Sequence, residues 1–121
     1  MVHDIESRTF DFSVTLLRFS KTVPRDDTSY IIIKQLIRAG TSIGANVTEG
    51  RASASKKDFI NFYYHALKSA RETIYWLRLL DTTLSQNTHQ GSCGKLTEEA
   101  GEISRILGKI VVNARKNMRT P

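Results

Sequence analysis

QLIRAGTSIGANVTEG, residues 35–50, is the stretch of this sequence that decides the fold. Its polar residues recur at steps of three and four, which places them on one face of a helix. This polar stripe consists of Gln35, Arg38, Ser42, Asn46 and Glu49. Apart from one cation and one carboxylate its side chains are neutral, and glycine and alanine lie between them. We therefore predict a helix whose polar stripe faces a second helix.

Apolar residues elsewhere predict three further helices. Steps of three or four run over residues 5–23 in helix one and over residues 96–114 in helix four. Helix two spans about residues 30–50, and an aromatic-rich helix three follows residues 55–58. The residues that widen the apolar face of helix one are Phe10, Val14 and Leu17. A face of that breadth predicts more than one packing partner for helix one.

Local signals predict where the helices end. Thr28 or Ser29 can cap helix two, because a hydroxyl accepts a hydrogen bond from a free backbone N–H. Gly50 suits the C-terminal end of that helix, where a positive φ is common. The segment from Ser55 to Asp58 is typical of a helix N-terminus. The polar, glycine-containing residues 85–94 predict a connecting loop.

A short turn near Ser53 makes helices two and three antiparallel neighbours, so that facing positions have a nearly constant index sum. The facing pairs predicted by this register are Arg38 with Glu72, Ser42 with Ser69, and Asn46 with His65. The small residues expected where the two helices cross are Gly40, Gly44, Ala66, Ser69 and Ala70. The predicted fold is an all-α, antiparallel up-down four-helix bundle, with residues 1–121 as one domain.

The composition is that of a globular protein with an excess of basic residues. A count of 18 Lys and Arg against 12 Asp and Glu gives a net charge of +6 and a pI near 9.7. Such a charge favours polyanionic partners, although solubility alone explains it equally well. The single cysteine, Cys93, suits a reducing compartment. Because no segment resembles a signal peptide or a membrane span, we expect a cytoplasmic protein without a membrane partner.

The sequence contains no standard motif of an enzyme. Its three histidines lie far apart, and the Glu-x-x-His pairs of a carboxylate-bridged metal site are missing. Glu49 and Glu72 form the one candidate carboxylate pair. Since Arg38 is available to neutralise Glu72, we interpret both carboxylates as structural. We predict a protein with no catalytic residues, no metal site and no cofactor.

Basic residues concentrate in two segments. Those of the final segment are Arg105, Lys109, Arg115, Lys116 and Arg119. Those of the turn between helices two and three are Arg51, Lys56 and Lys57. The helix dipole explains cations in the last turn of helix four, but Arg105 and Lys109 lie before that turn. Their presence favours an anion-binding surface. Most aromatic residues of helix three are expected in the core together with His65, with Tyr64 and Tyr75 as exceptions.

The motifs of helices two and three resemble those of a known family. They read Gln35-Leu-x-Arg38-Ala, Ser42-Ile, Asn46-Val, Glu49-Gly50, Ser55-x-x-Asp58-Phe, Ala66-x-x-Ser69 and Glu72. This pattern is similar to that of the four-helix bundle family of 23S rRNA intervening-sequence proteins. The residues that match the recurrent polar positions of that family are Gln35, Arg38, Ser42, Asn46, Glu49, Ser69 and Glu72. The resemblance implies that they determine the fold.

The resemblance also implies a ring-like homo-oligomer, a pentamer of up-down bundles, with an RNA-linked and non-catalytic role. A related group, the accessory variability proteins of diversity-generating retroelements, associates with a reverse transcriptase and with nucleic acid through basic surfaces. Two functions therefore stay open. One is binding of RNA or DNA by phosphate and shape contacts. The other is a protein-interaction scaffold or accessory subunit for an enzyme such as a reverse transcriptase, docked on the broad apolar face of helix one.

Overall fold

The computed structural model describes residues 2–84 and 90–119, with side chains over residues 5–84 and 91–118. Within these ranges the chain forms the helices α1 (Val2–Ser20), α2 (Asp27–Arg51), α3 (Lys56–Thr83) and α4 (Gln90–Arg119). No strand occurs over the same ranges. The predicted all-α class with four helices is confirmed.

Successive helices pack against one another in antiparallel order. Leu16 of α1 lies beside Gly40 of α2, and Thr9 lies beside Gly44. The residue numbers of α1 therefore fall as those of α2 rise. The contact between α2 and α3 is the most extensive, and α4 returns to α1 through a smaller contact that closes the bundle. In the described part of the chain, no helix has an apolar stretch long enough for a membrane crossing.

The apolar stripes of the helices meet in one core. Its fully buried large side chains include Leu16, Leu36, Ile43, Leu77 and Leu107. Cys93 is buried with them, and this burial raises the pKa of its thiol to about 11, with a smaller contribution from the charge of Asp81. Desolvation disfavours the thiolate. Cys93 therefore packs in the core with its thiol protonated.

The ends of α2 differ from the prediction. Asp26, and not Thr28 or Ser29, is the N-cap, since its carboxylate accepts a hydrogen bond from the Ser29 N–H at 2.8 Å. A carboxylate at this place also interacts favourably with the helix dipole. The helix continues past Gly50, whose φ is not positive, to a cap at Ala52 with an ordinary right-handed conformation. Gly50 is thus an internal residue of α2.

The start of α3 agrees with the prediction, and the start of α4 does not. The Ser55 hydroxyl caps α3 by accepting a hydrogen bond from the Asp58 N–H at 3.1 Å. Residues 91–94 are helical, although they were predicted to belong to a loop, and residues 85–89 of that loop lie outside the described residues. Because Cys93 and Leu96 both point into the core, apolar burial supports α4 from its first turn.

Two glycines of α2 face α1 and not α3, contrary to the prediction. A Cβ atom at Gly40 would overlap the side chain of Leu16, and one at Gly44 would lie 3.3 Å from the Thr9 carbonyl oxygen. These glycines therefore allow the backbones of α1 and α2 to approach closely. The small residues of α3 that do lie fully buried are Ala66 and Ala70.

Candidate nucleic-acid interface

The predicted pair between α2 and α3 is present. Arg38 Nη2 donates to Glu72 Oε2, and Arg38 Nε donates to Gln35 Oε1 at 3.0 Å. The indole N–H of Trp76 donates to the same Glu72 oxygen at 2.9 Å. These contacts confirm the predicted register at this level of the bundle. The side chains of Arg38 and Glu72 are 55% and 37% exposed, so the network lies at the surface.

The rest of the polar stripe does not form a buried seam. The Ser42 hydroxyl donates to the Arg38 carbonyl at 2.7 Å, and the Asn46 amide donates to the Ser42 carbonyl at 2.9 Å. Within the described residues, neither side chain bonds to its predicted partner, Ser69 or His65, and His65 is exposed rather than buried in the core. The reason is that each turn of α2 also carries apolar residues, and these occupy the side of the helix that faces the core.

The two candidate carboxylates do not face each other. Glu49 is exposed and lines a shallow groove with Phe10 and Ser13 of α1, whereas Glu72 bonds across to α2 from α3. They therefore form no acid–base pair, which agrees with the structural interpretation of Glu72. Over residues 5–84 and 91–118, no group of three His, Cys, Asp or Glu side chains is placed to hold a metal ion.

Two of the predicted anion-binding arginines are paired with carboxylates. Arg51 Nη1 lies 2.6 Å from Glu6 Oε1, and Arg105 Nη2 bonds to Glu102 one turn earlier on α4. Each pairing offsets the positive charge that a polyanion would meet. Both arginines are exposed, and so are the predicted cations Lys56, Lys57, Lys109, Arg115 and Lys116. The side chain of Arg119 lies outside the described residues.

The bundle brings together cations from the two basic segments. Lys57 at the start of α3 and Arg115 near the end of α4 line the same groove, of about 270 Å³, with Ile60 and Met118. The sequence separates these two cations by almost half of the chain. The antiparallel order of α3 and α4 is what places them side by side.

A row of cations and tyrosines continues from this groove along the solvent side of α3. The row, which we name the α3 basic face, consists of Lys57, Tyr64, Lys68, Arg71, Tyr75 and Arg78. Its members are separated by three, four or seven residues and therefore share one side of the helix. The four cations are exposed. The row extends over about 30 Å, since an α-helix rises about 1.5 Å per residue.

Arg115 of α4 adds a fifth cation beside this face. Its guanidinium carbon lies 5.0 Å from the centre of the Tyr64 ring, and Lys68 Nζ lies 5.8 Å from the same ring centre. Both distances are within the range of a cation–π interaction. The half-buried Tyr64 ring thus holds two cations from different helices close together at the surface.

No carboxylate neutralises these five cations among the residues that the structure describes. The ion pairs there use Arg8, Arg38, Arg51 and Arg105, which lie outside the α3 basic face. The acidic residues of α3 are Asp58, Glu72 and Asp81. Glu72 lies one turn from Lys68 but bonds to Arg38 and to the indole of Trp76, and in the described structure none of the three forms an ion pair with the five cations. A row of cations without ion-paired carboxylates produces a positive potential suited to a polyanion.

Sequence reasoning missed three cations of this face, Lys68, Arg71 and Arg78. The basic residues were counted as runs along the chain, and these three are separated by apolar and acidic residues. The steps of three and four that identified the polar stripe identify them too. The usable signal was therefore the periodicity of charge and not its local density.

Comparison with known proteins gives two findings. The sequence model of the 23S rRNA-intervening sequence protein family matches residues 3–109. A crystal structure from Bacteroides thetaiotaomicron VPI-5482, of a protein with unknown function from the S23 ribosomal protein family, is similar at 32% sequence identity. The match covers 91% of this chain and 96% of that chain, with a TM-score of 0.81. Curated proteins give no significant match.

Proposed function

The chain belongs to the 23S rRNA-intervening sequence protein family, and from this membership we propose that it is a non-catalytic protein that binds RNA or DNA through the α3 basic face. The observation that carries the proposal is the set of five exposed cations without a described carboxylate partner: Lys57, Lys68, Arg71, Arg78 and Arg115. Phosphate groups are the anions that such a row fits, because they repeat along a polymer. Binding then depends on phosphate and shape contacts.

We also propose that the protein is a homo-oligomer, and the family resemblance favours a pentamer. Apolar side chains exposed on α1 and α2 support association, with Phe10 67%, Leu17 41% and Ile31 62% exposed. Such side chains gain from burial against another copy. Each copy brings one α3 basic face, so assembly raises the affinity for a long polymer through avidity. Light scattering should give five times the 13.7 kDa mass of the chain.

A charge reversal on the α3 basic face tests the proposal. We expect the double variant Lys68→Glu and Arg71→Glu to bind RNA and DNA about tenfold or more weakly near physiological salt, because it places repulsive charges at two phosphate contacts. The matched control is Lys21→Glu with Lys34→Glu, which makes the same change of net charge at two exposed positions outside the face. Fluorescence anisotropy with labelled oligonucleotides measures both variants.

The control decides how the result is interpreted. An equal loss in the two double variants would mean that net charge alone attracts the polymer, which would contradict a defined face. Circular dichroism and light scattering establish that each variant keeps its helices and its mass. A face-specific loss with both of these properties unchanged is the result that we expect.

The alternative function is a protein-interaction scaffold for a nucleic-acid enzyme such as a reverse transcriptase. The specific observation in its favour is a groove of about 600 Å³ between α1 and α4, whose apolar lining includes Phe12, Phe19 and Leu96. A scaffold would keep its partner when Lys68 and Arg71 are reversed. It would lose that partner when an acidic residue replaces Thr15, which lines the same groove and is exposed.

A further inference from the structure

Tyr75 is the member of the α3 basic face whose aromatic ring is open to solvent. The residue is 58% exposed. Arg71 lies four residues before it and Arg78 three residues after it, so each lies one helical turn away on the same side of α3. The ring therefore lies between two exposed cations. Glu72, three residues before Tyr75, bonds to Arg38 and to the indole N–H of Trp76.

The ring contacts of Tyr75 leave a face free for another planar group. Its recorded ring contact within the described chain is with Trp76, at 5.0 Å between ring centres and an interplanar angle of 75°. An edge-on contact of this kind covers at most one face of the tyrosine. Tyr64 differs, because Arg115 and Lys68 already lie over its ring. Of the two tyrosines on the face, Tyr75 is therefore the one available for stacking.

We propose that an unpaired nucleobase stacks on Tyr75 while Arg71 and Arg78 bind the flanking phosphates, so that the site selects single-stranded nucleic acid over a duplex. This inference rests on the proposed function of the α3 basic face. An aromatic ring between cations is the arrangement that proteins use to hold a single strand, because every base has a face that can stack. In a duplex the faces of the bases are already covered by neighbouring bases, so only phosphates, sugars and base edges are accessible to a protein.

The chain contains a natural reporter for this contact. Trp76 is its one tryptophan, and its ring meets that of Tyr75 while its indole N–H is held by Glu72 at 2.9 Å. A base that stacks on Tyr75 changes the surroundings of Trp76. Tryptophan fluorescence should therefore change when a single strand binds and should change little when a duplex binds.

The experiment compares three probes on the full-length protein. The probes are a short single-stranded RNA without self-complementarity, the same strand paired with its complement, and an abasic DNA strand of equal length that keeps the sugar–phosphate backbone without the bases. We expect Tyr75→Ala to weaken binding of the single-stranded RNA about tenfold, the loss that removal of one stacked base predicts. Its binding of the duplex and of the abasic strand should stay within about twofold of the wild type, since phosphate contacts remain.

Two further variants control the interpretation. Tyr75→Phe keeps the stacking ring and should bind like the wild type. Tyr30→Ala removes a tyrosine of similar exposure, 51%, that lies on α2 outside the α3 basic face, and it should have no effect. If Tyr75→Ala binds the single strand as the wild type does, or loses all three probes equally, the stacking proposal is overturned.

The outcome also separates this proposal from the proposed function. If Lys68→Glu with Arg71→Glu weakens every probe while Tyr75→Ala weakens none, the face binds phosphates and the stacking proposal alone fails. If the double charge reversal weakens no probe, the α3 basic face is not the binding surface and both proposals fail.

Discussion

Gly50 shows at the level of one residue how tightly α2 and α3 pack. A Cβ atom at this position would lie 2.7 Å from Tyr63 Cδ1 and 3.0 Å from the Cβ atom of Phe62. Tyr63 is fully buried, so its ring can shift only by displacing other core side chains. Glycine is therefore required here by the close approach of a neighbouring ring. The positive φ that sequence reasoning assigned to it does not occur.

Gly50→Ala should therefore lower the free energy of unfolding, although alanine favours a helix. The intrinsic gain of a helical Gly→Ala change is about 1 kcal/mol, whereas overpacking of a rigid core costs about 1–3 kcal/mol. We expect a net loss of about 1–2 kcal/mol in urea unfolding, because Tyr63 must shift against a filled core.

Gly101→Ala is the matched control for this prediction. Gly101 lies inside α4, and a Cβ atom added there meets nothing within 4 Å. This variant should gain about 0.5–1 kcal/mol from helix propensity. A Gly50→Ala protein as stable as Gly101→Ala would show that the contact with Tyr63 is not restrictive.

At the level of the helices, the polar stripe of α2 shows what periodicity can predict and what it cannot. Steps of three and four correctly placed Gln35 and Arg38 on one side of α2, and the short turn correctly set Arg38 against Glu72. Periodicity defines a face without stating which neighbour covers it. The apolar positions of α2 took the core side, so Ser42 and Asn46 were left to bond within their own helix.

The exposure of this network limits its contribution to stability. Glu72→Gln removes the charge that Arg38 pairs with, while the amide oxygen can still accept a hydrogen bond from Trp76. Because surface ion pairs contribute about 0–1 kcal/mol, we expect the free energy of unfolding to fall by at most about 1 kcal/mol. Chemical denaturation of the wild type and the variant measures this. A loss of several kcal/mol would mean that the pair is desolvated, as in an interface between copies.

The helices were also easier to predict than their ends or their surfaces. The start of α3 followed from Ser55 and Asp58 because capping is local. The start of α4 did not follow from local signals, because burial of Cys93 stabilises a turn that contains Gly91 and Gly94. The α3 basic face required the phase of charged residues along a helix, which runs of charge do not show.

At the level of the whole molecule, the charges are distributed unevenly around the bundle. The described structure contains four ion pairs, and none of them includes a cation of the α3 basic face. The net charge is +6. Its cations without a described ion pair are thus concentrated along one side of α3 and at Arg115. An assembly of several copies presents several such faces to one polymer, and its affinity then depends strongly on salt.

The measurement that tests this account most directly is single-stranded RNA binding by the purified, nuclease-treated protein over a salt series. Light scattering in the same buffer gives the mass of the particle. If one α3 basic face contacts about five phosphates, log K should fall against log salt with a slope of about −3 to −4, steeper still where several faces bind at once. The double variant Lys68→Glu and Arg71→Glu should show a shallower slope. A wild-type slope near zero, or an identical slope in the variant, would contradict binding through the α3 basic face.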